Sequence, residues 1–408
     1  MTDTADVVVV GGGALGVSCA HHLHERGAAV RLVERDGIAQ ATSTCGAGFI
    51  AFWGGGYVPQ WESEELVACE RYGIDFYTAL HDDTPVFPCR RAGSLYLATS
   101  EEGWDQRMRP IAECTNVPGR QVLDATEATE LGQIVRPGSV VGGVFDPDPV
   151  QVVAREAVRA LAERLRGRGV PVEERRPVTR LIVSDGRVRG VETLHGDIAA
   201  DAVVIAAGPW ANHLLAPHGG WLPYAPMGAL RITTEPLGIP PTMPMLLIPD
   251  LSYAWVREQD GGLLWGGAYG GRHRNALLDV DPPERLREMP MDGLWETQRI
   301  GAHAASVLPP LGRYHDFTYA EGAPCYTPDF LPLIGELPEI GGVYALGGDS
   351  EAGITHGPAF GRALAEVITG VAPFVSLERF RPDRFGAQFG TARQVADAVA
   401  AAEGGVFH

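Results

Sequence analysis

The sequence predicts a chain of mixed class, α/β plus α+β, in which an antiparallel sheet is inserted into a layer of parallel strands and helices. Three observations carry that prediction. The first 34 residues read as strand, glycine turn, helix and strand. From Leu222 to about Tyr319 the character changes to short β-like runs separated by proline-rich loops. After that the chain returns to a buried strand followed by a helix.

The opening run is Asp6-Val-Val-Val-Val-Gly11-Gly-Gly13-Ala-Leu-Gly16, followed by a helix over residues 14 to about 26 and a second strand over 29–34. This is the Rossmann-like βαβ pattern, and each glycine has a physical task. Gly11 permits the tight turn, Gly13 lets backbone approach a pyrophosphate, and Gly16 allows close packing of helix on strand. Ala14 and Leu15 open the helix, whose N-terminus offers free N–H groups and partial positive charge to phosphates. Glu34, 18 residues beyond Gly16, stands where a carboxylate accepts hydrogen bonds from a ribose diol, with Arg35 beside it. Together these features predict an adenine dinucleotide.

Residues 151–169 read as an amphipathic helix with Val152, Val153, Val158, Leu161 and Leu165 on one stripe, ended by Gly169 and Pro171. Strands over 178–183 and 187–194 flank a Ser184-Asp-Gly186 turn, a hairpin signal. A buried strand over 201–207 ends at Gly208. The inserted sheet is predicted from runs at 229–234, 253–257 and 263–267, with proline-rich loops at 236–245 and 282–290. The last strand is 342–347 and the last helix 358–369, with Pro358 in its first turn and Gly370 beyond its end. Residues 371–408 read as a peripheral tail. The predicted division is a discontinuous cofactor domain (1–84, 146–217 and 321–385), a substrate domain (85–145 and 218–320) and a C-terminal tail (386–408).

At 408 residues, 45% hydrophobic and 21% charged, the chain has the composition of a soluble globular protein. Its 33 basic and 51 acidic residues give a formal net charge of −18, which argues against nucleic acid and anionic membranes as partners. There is no lysine, so every basic residue is an arginine. The six cysteines are scattered without a CxxC pair or metal-ligand spacing, so no metal site is expected and reduced cytoplasmic thiols are. The N-terminal apolar run is broken by three glycines and lacks a basic flank, unlike a signal peptide. No run approaches the roughly 18 apolar residues of a membrane helix.

Only one glycine fingerprint lies between a strand and a helix; Gly54–Gly56, Gly266–Gly271 and Gly347–Gly348 lack that context. One dinucleotide is therefore expected, with no second fold for a nicotinamide partner. That points to a retained FAD reduced by the substrate itself.

Four segments resemble the D-amino-acid oxidase superfamily of FAD enzymes, which includes glycine oxidase, sarcosine oxidase and dimethylglycine dehydrogenase. They are the N-terminal fingerprint; Ala41-Thr-Ser-Thr-Cys-Gly-Ala-Gly48; residues 178–214 with Val-Ile-Ala-Ala-Gly-Pro-Trp210; and Gly322-Ala-Pro-Cys-Tyr-Thr-Pro-Asp-Phe-Leu-Pro-Leu-Ile-Gly335 with Gly348-Asp-Ser-Glu-Ala-Gly-Ile-Thr-His-Gly-Pro-Ala359. The resemblance implies that Thr42, Ser43, Thr44, Cys45, Gly46 and Gly48 surround the cofactor, with Ser43 and Thr44 on the pyrophosphate. It implies that Val178 meets the adenine, and that Ala207, Gly208 and Trp210 lie where the buried strand passes the cofactor. Gly348, Gly353, Ile354 and Thr355 would present backbone N–H groups to the flavin. FAD is expected to be non-covalent, with an 8α tether through Cys45 or Cys325 as the alternative.

The chain also departs from these relatives. Pro324 occupies the place where glycine oxidase and D-amino-acid dehydrogenases commonly carry an arginine that clamps the substrate carboxylate. A bidentate guanidinium cannot be replaced by proline. Arg231 and Arg257, on the inserted β-like runs, become the candidate clamps, unless the substrate lacks a carboxylate. Leu264 stands where monomeric sarcosine oxidase places a lysine over the flavin, and His356 is the candidate replacement charge. Among the aromatics Trp53, Tyr57, Tyr253, Trp255, Trp265 and Tyr326, the best pocket candidates are Tyr326 and Tyr253, with Tyr326 and His356 as groups that tune substrate protonation.

The function this implies is oxidation of a C–N bond in a small amine or amino acid. Hydride passes to flavin N5, the resulting imine is hydrolysed, and electrons go on to O2 or another acceptor. The alternatives are a flavin monooxygenase or 2-hydroxy-acid oxidase, and a redox-silent flavoprotein subunit.

Overall fold

The computed structural model describes residues 3–267 and 292–406. The expected proline-rich loop at 282–290 and the glycine cluster beyond Gly267 lie outside the described residues. Two eight-stranded sheets dominate. In the first, Asp3–Val10 runs parallel to Val30–Val33 on one side and to Ile198–Ile205 on the other. Val343–Gly347 extends it in parallel beside Ile198–Ile205, and the hairpin Val178–Ser184/Arg187–Thr193 completes that flank. The hairpin turn is Asp185-Gly186, both residues with positive φ, the geometry a two-residue connection needs to match strand twist.

Helix Ala14–Glu25 follows the glycine turn and packs on this sheet and on helix Gly353–Ile368, which in turn contacts helix Glu64–Asp83. The central strand carries four consecutive buried valines, Val7–Val10, as a strand covered on both faces should.

The second sheet is ordered Phe317–Gly322, Ala229–Thr234, Gly262–Gly266, Ala254–Gln259, Met245–Ile248, Ser94–Ala98, Gly142–Asp146 and Gln121–Asp124. All its pairings are antiparallel except Met245–Ile248 with Ser94–Ala98. One face of it, with Leu246, Val256, Ile232 and Trp265, packs on helix Asp292–Ala304; the other, with Met245 and Leu247, meets Phe49 and Ala51. Two of the expected domain borders, at 145/146 and 320/321, cut strands Gly142–Asp146 and Phe317–Gly322 of this sheet.

Three expectations are corrected. Residues 150–152 form a strand paired with Phe49–Ile50 and Cys89–Arg90, and the helix begins only at Ala154. The apolar run there satisfies a buried strand as well as a helical stripe. The helix expected to begin at Pro358 begins at Gly353, with Pro358 inside it. Burial of nearly every residue from Ile354 to Glu366 between two other helices holds it together across the proline. The tail is not peripheral: helix Ala392–Val406 buries Val395 and Val399 against Met227, Tyr326 and Phe330.

Candidate functional site

A cavity of about 900 Å³ runs from the glycine turn of the first sheet to the inner face of the second. At its nucleotide end the chain does what Gly11 and Gly16 require. Gly11 has φ +115, and a Cβ there would lie 2.3 Å from the Ala206 carbonyl oxygen; one on Gly16 would lie 2.0 Å from the Gly11 oxygen. Gly11, Gly13, Ala14 and Leu15 line the cavity, whereas Gly16 packs behind it. Ser43 Oγ accepts the Ala14 N–H at 3.1 Å, tying the 42–48 segment to the helix start.

Glu34 lines the same end, its carboxylate fixed by the N–H groups of Gly12 (2.6 Å) and Asp36 (2.8 Å). Burial raises its pKa, and these two hydrogen bonds oppose the rise. Arg35 lies 4.3 Å from the centre of the Trp210 ring, and with Val178, Ala207 and Gly208 these residues frame the cavity there.

The middle of the cavity is walled by Thr42, Ser43, Cys45, Gly46 and Gly48 on one side and by Gly348, Gly353 and Ile354 on the other. Thr44 is not part of the wall; its hydroxyl donates to the Ala39 carbonyl. Thr355 is also behind the wall, donating to the Phe49 carbonyl at 2.8 Å and accepting from Trp53 Nε1 at 3.2 Å.

The two candidate arginines separate clearly. Arg257 is 1% exposed and lies outside the cavity lining. Its donors go to Ala47 O (2.6 Å), Glu258 O (2.9 Å) and Gln259 Oε1 (2.8 Å). Burial, with Arg231 and Arg90 nearby, pushes its pKa down to about 9. It therefore holds the 47–48 backbone rather than a substrate, a correction to its expected role. Arg231 does line the cavity; its Nη atoms bind Thr44 O (2.8 Å) and Thr233 Oγ1 (3.1 Å), while its buried Nε has no protein partner. Leu264 is fully buried opposite Thr233 and Arg257 and does not reach the cavity.

At the far end Phe49, Trp53, Tyr57, Tyr253, Trp255 and Tyr326 form an aromatic wall. Trp265 is instead core, its ring tilted against that of Tyr314 with the centres 5.1 Å apart. Ser252 and Tyr253 both have positive φ, a strained pair at the rim, and the Arg107 guanidinium lies 5.3 Å from the Tyr253 ring centre.

His356 is not in the wall. Its imidazole is fully buried, with Nδ1 3.0 Å from Asp349 Oδ1 and Nε2 3.3 Å from Glu70 Oε1. Burial alone lowers its pKa, but the two carboxylates override this and push it up to about 10. It is therefore a buried cation paired with two carboxylates behind the wall, and not a side chain that faces the cavity. Asp349 does line the cavity. Neither it nor Glu70 was singled out from sequence. Glu70 carried a signal: it lies on the buried face of its helix with Leu66, Gly73, Ile74 and Tyr77.

Several buried polar atoms on or beside this cavity have no protein partner: Trp210 Nε1, Arg231 Nε, Asp349 Oδ2 and Ser350 Oγ. A long polar cofactor with phosphates and hydroxyls answers such orphans, and the Cβ-free turn at Gly11–Gly13 gives it backbone contact. The residues present fit FAD. Among the described residues there is no group of His, Cys, Asp and Glu able to hold a metal ion, and no helix long and apolar enough to cross a membrane.

Comparison with known proteins agrees with this reading of the cavity. The family model for FAD dependent oxidoreductases matches residues 6–367. The chain is 27% identical to 4-methylaminobutanoate oxidase (formaldehyde-forming) of Paenarthrobacter nicotinovorans, over 91% of this chain and 45% of that protein. It is 27% identical to glycine oxidase of Pseudomonas aeruginosa, over 92% of this chain and 98% of that one. It thus spans less than half of some relatives and nearly all of others. L-proline dehydrogenase from P. horikoshii shares the fold at a TM-score of 0.79 and 24% identity, covering 94% of this chain and 98% of that one. With its glycine turn, acidic strand end and FAD-sized cavity, the chain belongs to the FAD dependent oxidoreductase family.

Proposed function

We propose that this protein oxidises a C–N bond of a small amine or amino acid, giving an imine that water hydrolyses. Bound FAD supplies a hydride acceptor for the C–H bond next to nitrogen and then a donor to O2 or another acceptor. The observation that carries the reading is Arg231, the arginine of the second sheet that lines the cavity, its Nη atoms held by Thr44 O and Thr233 Oγ1. It supplies a charge-assisted donor for a substrate carboxylate in place of the arginine that Pro324 displaces. The relatives named as glycine oxidase and 4-methylaminobutanoate oxidase support an amine or amino-acid substrate.

In this reading Arg257 keeps the 47–48 backbone fixed, and Trp53, Tyr57 and Trp255 exclude water from the reacting end. Tyr326 and Tyr253 close over the substrate. Gly11, Gly13, Glu34, Arg35, Ser43, Val178 and Trp210 hold the cofactor. The division between cofactor and substrate domains follows the two sheets, with the borders moved to the ends of Gly142–Asp146 and Phe317–Gly322. FAD is held without a covalent bond: burial pushes the Cys325 thiol up, away from the reactive thiolate.

The test is an anaerobic flavin-bleaching screen across amines, amino acids and hydroxy acids. The expected result is bleaching by amino acids, with the yellow colour released on acid precipitation. Bleaching by hydroxy acids but by no amine or amino acid overturns the reading.

A further inference from the structure

The glycine run 54–56 lies between two residues of the aromatic wall, Trp53 and Tyr57. It belongs to no helix or strand, so no regular backbone pattern holds it. It is fixed from outside instead. The Gly54 N–H donates to Glu70 Oε1 at 2.8 Å, and the Gly55 carbonyl accepts from Arg120 Nη1 at 2.5 Å. Gly56 has φ +90, and a Cβ there would lie 2.6 Å from the Pro110 carbonyl oxygen. The turn closes where the Val58 N–H meets the Trp53 carbonyl at 2.9 Å.

Arg120 joins this turn to the rest of the site. The antiparallel register that pairs Gln121 with Phe145 brings Arg120 beside Asp146. Its Nε and Nη2 take both carboxylate oxygens, at 2.6 and 3.1 Å, and the two side chains are 5% and 1% exposed. Nη1 reaches a second carbonyl, that of Ile111, at 2.6 Å. Ile111 belongs to helix Arg109–Glu113, which continues directly from the turn Trp104–Met108. That turn places Met108 in the apolar cluster that Trp53, Tyr57 and Trp255 pack against, and Arg107 against the Tyr253 ring.

Stability alone does not call for such a pair, because apolar residues of similar volume often replace a buried ion pair without loss. An apolar pair cannot, however, hold carbonyls of two separate segments at set distances. A planar guanidinium with donors in a rigid fork can.

We propose that Arg120 is a positioning residue of the substrate end: it holds the 54–56 turn so that Trp53 and Tyr57 stand as a fixed wall, which restricts the cavity to small amines. Arg120 itself is absent from the cavity lining and acts only through that turn and helix Arg109–Glu113. The proposal rests on the substrate occupying the aromatic end, as in the function proposed above.

The experiment compares wild type with Arg120→Lys and Gly55→Ala, each as the FAD-loaded full chain. Arg120→Lys keeps a positive charge against Asp146 but loses the fork that serves both carbonyls. Gly55→Ala leaves both charges in place, and its Cβ would lie 2.6 Å from Arg120 Nη2, so the guanidinium must shift. The first readout is acrylamide quenching of Trp53, isolated by subtracting the same protein carrying Trp53→Phe. Quenching is expected to be stronger in both variants than in wild type. The second is kcat/KM for the N-methyl and N-benzyl forms of one amine. Their ratio is expected to move about tenfold toward the N-benzyl form, through a raised KM for the N-methyl form and with FAD content unchanged. Unchanged Trp53 quenching overturns the proposal, and so does an unchanged ratio beside a lowered melting temperature. If Arg120→Lys fails to fold, Gly55→Ala decides. The quenching needs no substrate, so its failure is distinct from failure of the bleaching screen.

Discussion

At the scale of single residues, Arg231 and Arg257 show how little separates a binding group from a structural one. They stand on the same inner face of the second sheet, and each donates to a carbonyl of the 44–47 segment. Arg257 has every nitrogen committed and stays outside the cavity lining, while Arg231 is part of that lining. Hydrogen bonds to charged groups contribute about 1.5–3 kcal/mol. Arg231→Ala is therefore expected to lower kcat/KM for a carboxylate-bearing amine about ten- to a hundredfold. Its effect on the same amine without the carboxylate is expected to be small. Steady-state kinetics on the matched pair checks this, and equal losses on both would remove Arg231 as the carboxylate anchor.

The same scale explains what sequence could not reveal. Both arginines occupy equivalent β positions, so which of them reaches the cavity depends on where the 41–48 segment lies against the sheet. Glu70 and His356 are 286 residues apart, and only the packing of their two helices brings them together. The glycine turn and Glu34, by contrast, are local, and were legible because each residue type there is dictated by its own backbone and neighbours.

At the scale of elements, the Gly353–Ile368 helix ties the cofactor wall to the Glu64–Asp83 helix through His356. A histidine whose pKa is raised in the folded state stabilises fully below its unfolded pKa of about 6.5. That contribution is lost as pH rises through the folded pKa of about 10. The stability difference between wild type and His356→Gln is therefore expected to shrink from pH 7 to 10, by at most about 1.4 kcal/mol per pH unit. Urea unfolding at several pH values measures it, and a difference that stays constant or grows with pH contradicts the charged assignment.

The C-terminal helix is the other element with a clear dependence. Val395 and Val399 are four residues apart, on one face, and both fully buried. A carboxyl at that face has no partner; burying even a neutral polar group unpaired costs on the order of 2–7 kcal/mol, and an ionised one more. Val399→Asp is expected to detach the helix and lower the urea midpoint, with loss of the packing over Tyr326 and Phe330. An unchanged midpoint would mean that the helix contributes nothing to the fold. This helix was read as tail because its small alanine-rich stripe gives a weak apolar pattern. Pro358 misled for a related reason: local rules place proline at a helix start, and only burial on two sides carries a helix across it.

At the scale of the whole molecule, the apolar cores of the two sheets are separate clusters, and the cavity lies where they face each other. Its walls draw Gly11 and Glu34 from the first sheet and Arg231, Leu247 and Trp255 from the second. FAD bound in this cavity would stand between two cores that also meet where Phe49 and Ala51 pack on Met245 and Leu247 and where Arg231 and Arg257 donate to the 44–47 segment. A ligand that binds only the folded chain stabilises it by about 2.7 kcal/mol at a hundredfold excess over Kd. Because its contacts span both cores, it is also expected to make them unfold together. The FAD-free chain should then show two urea transitions, and the loaded chain one, at higher urea. Far-ultraviolet circular dichroism and tryptophan fluorescence, followed on the same samples, measure this directly. Coincident single transitions with and without FAD, at the same midpoint, would show that the cofactor does not bridge the two sheets.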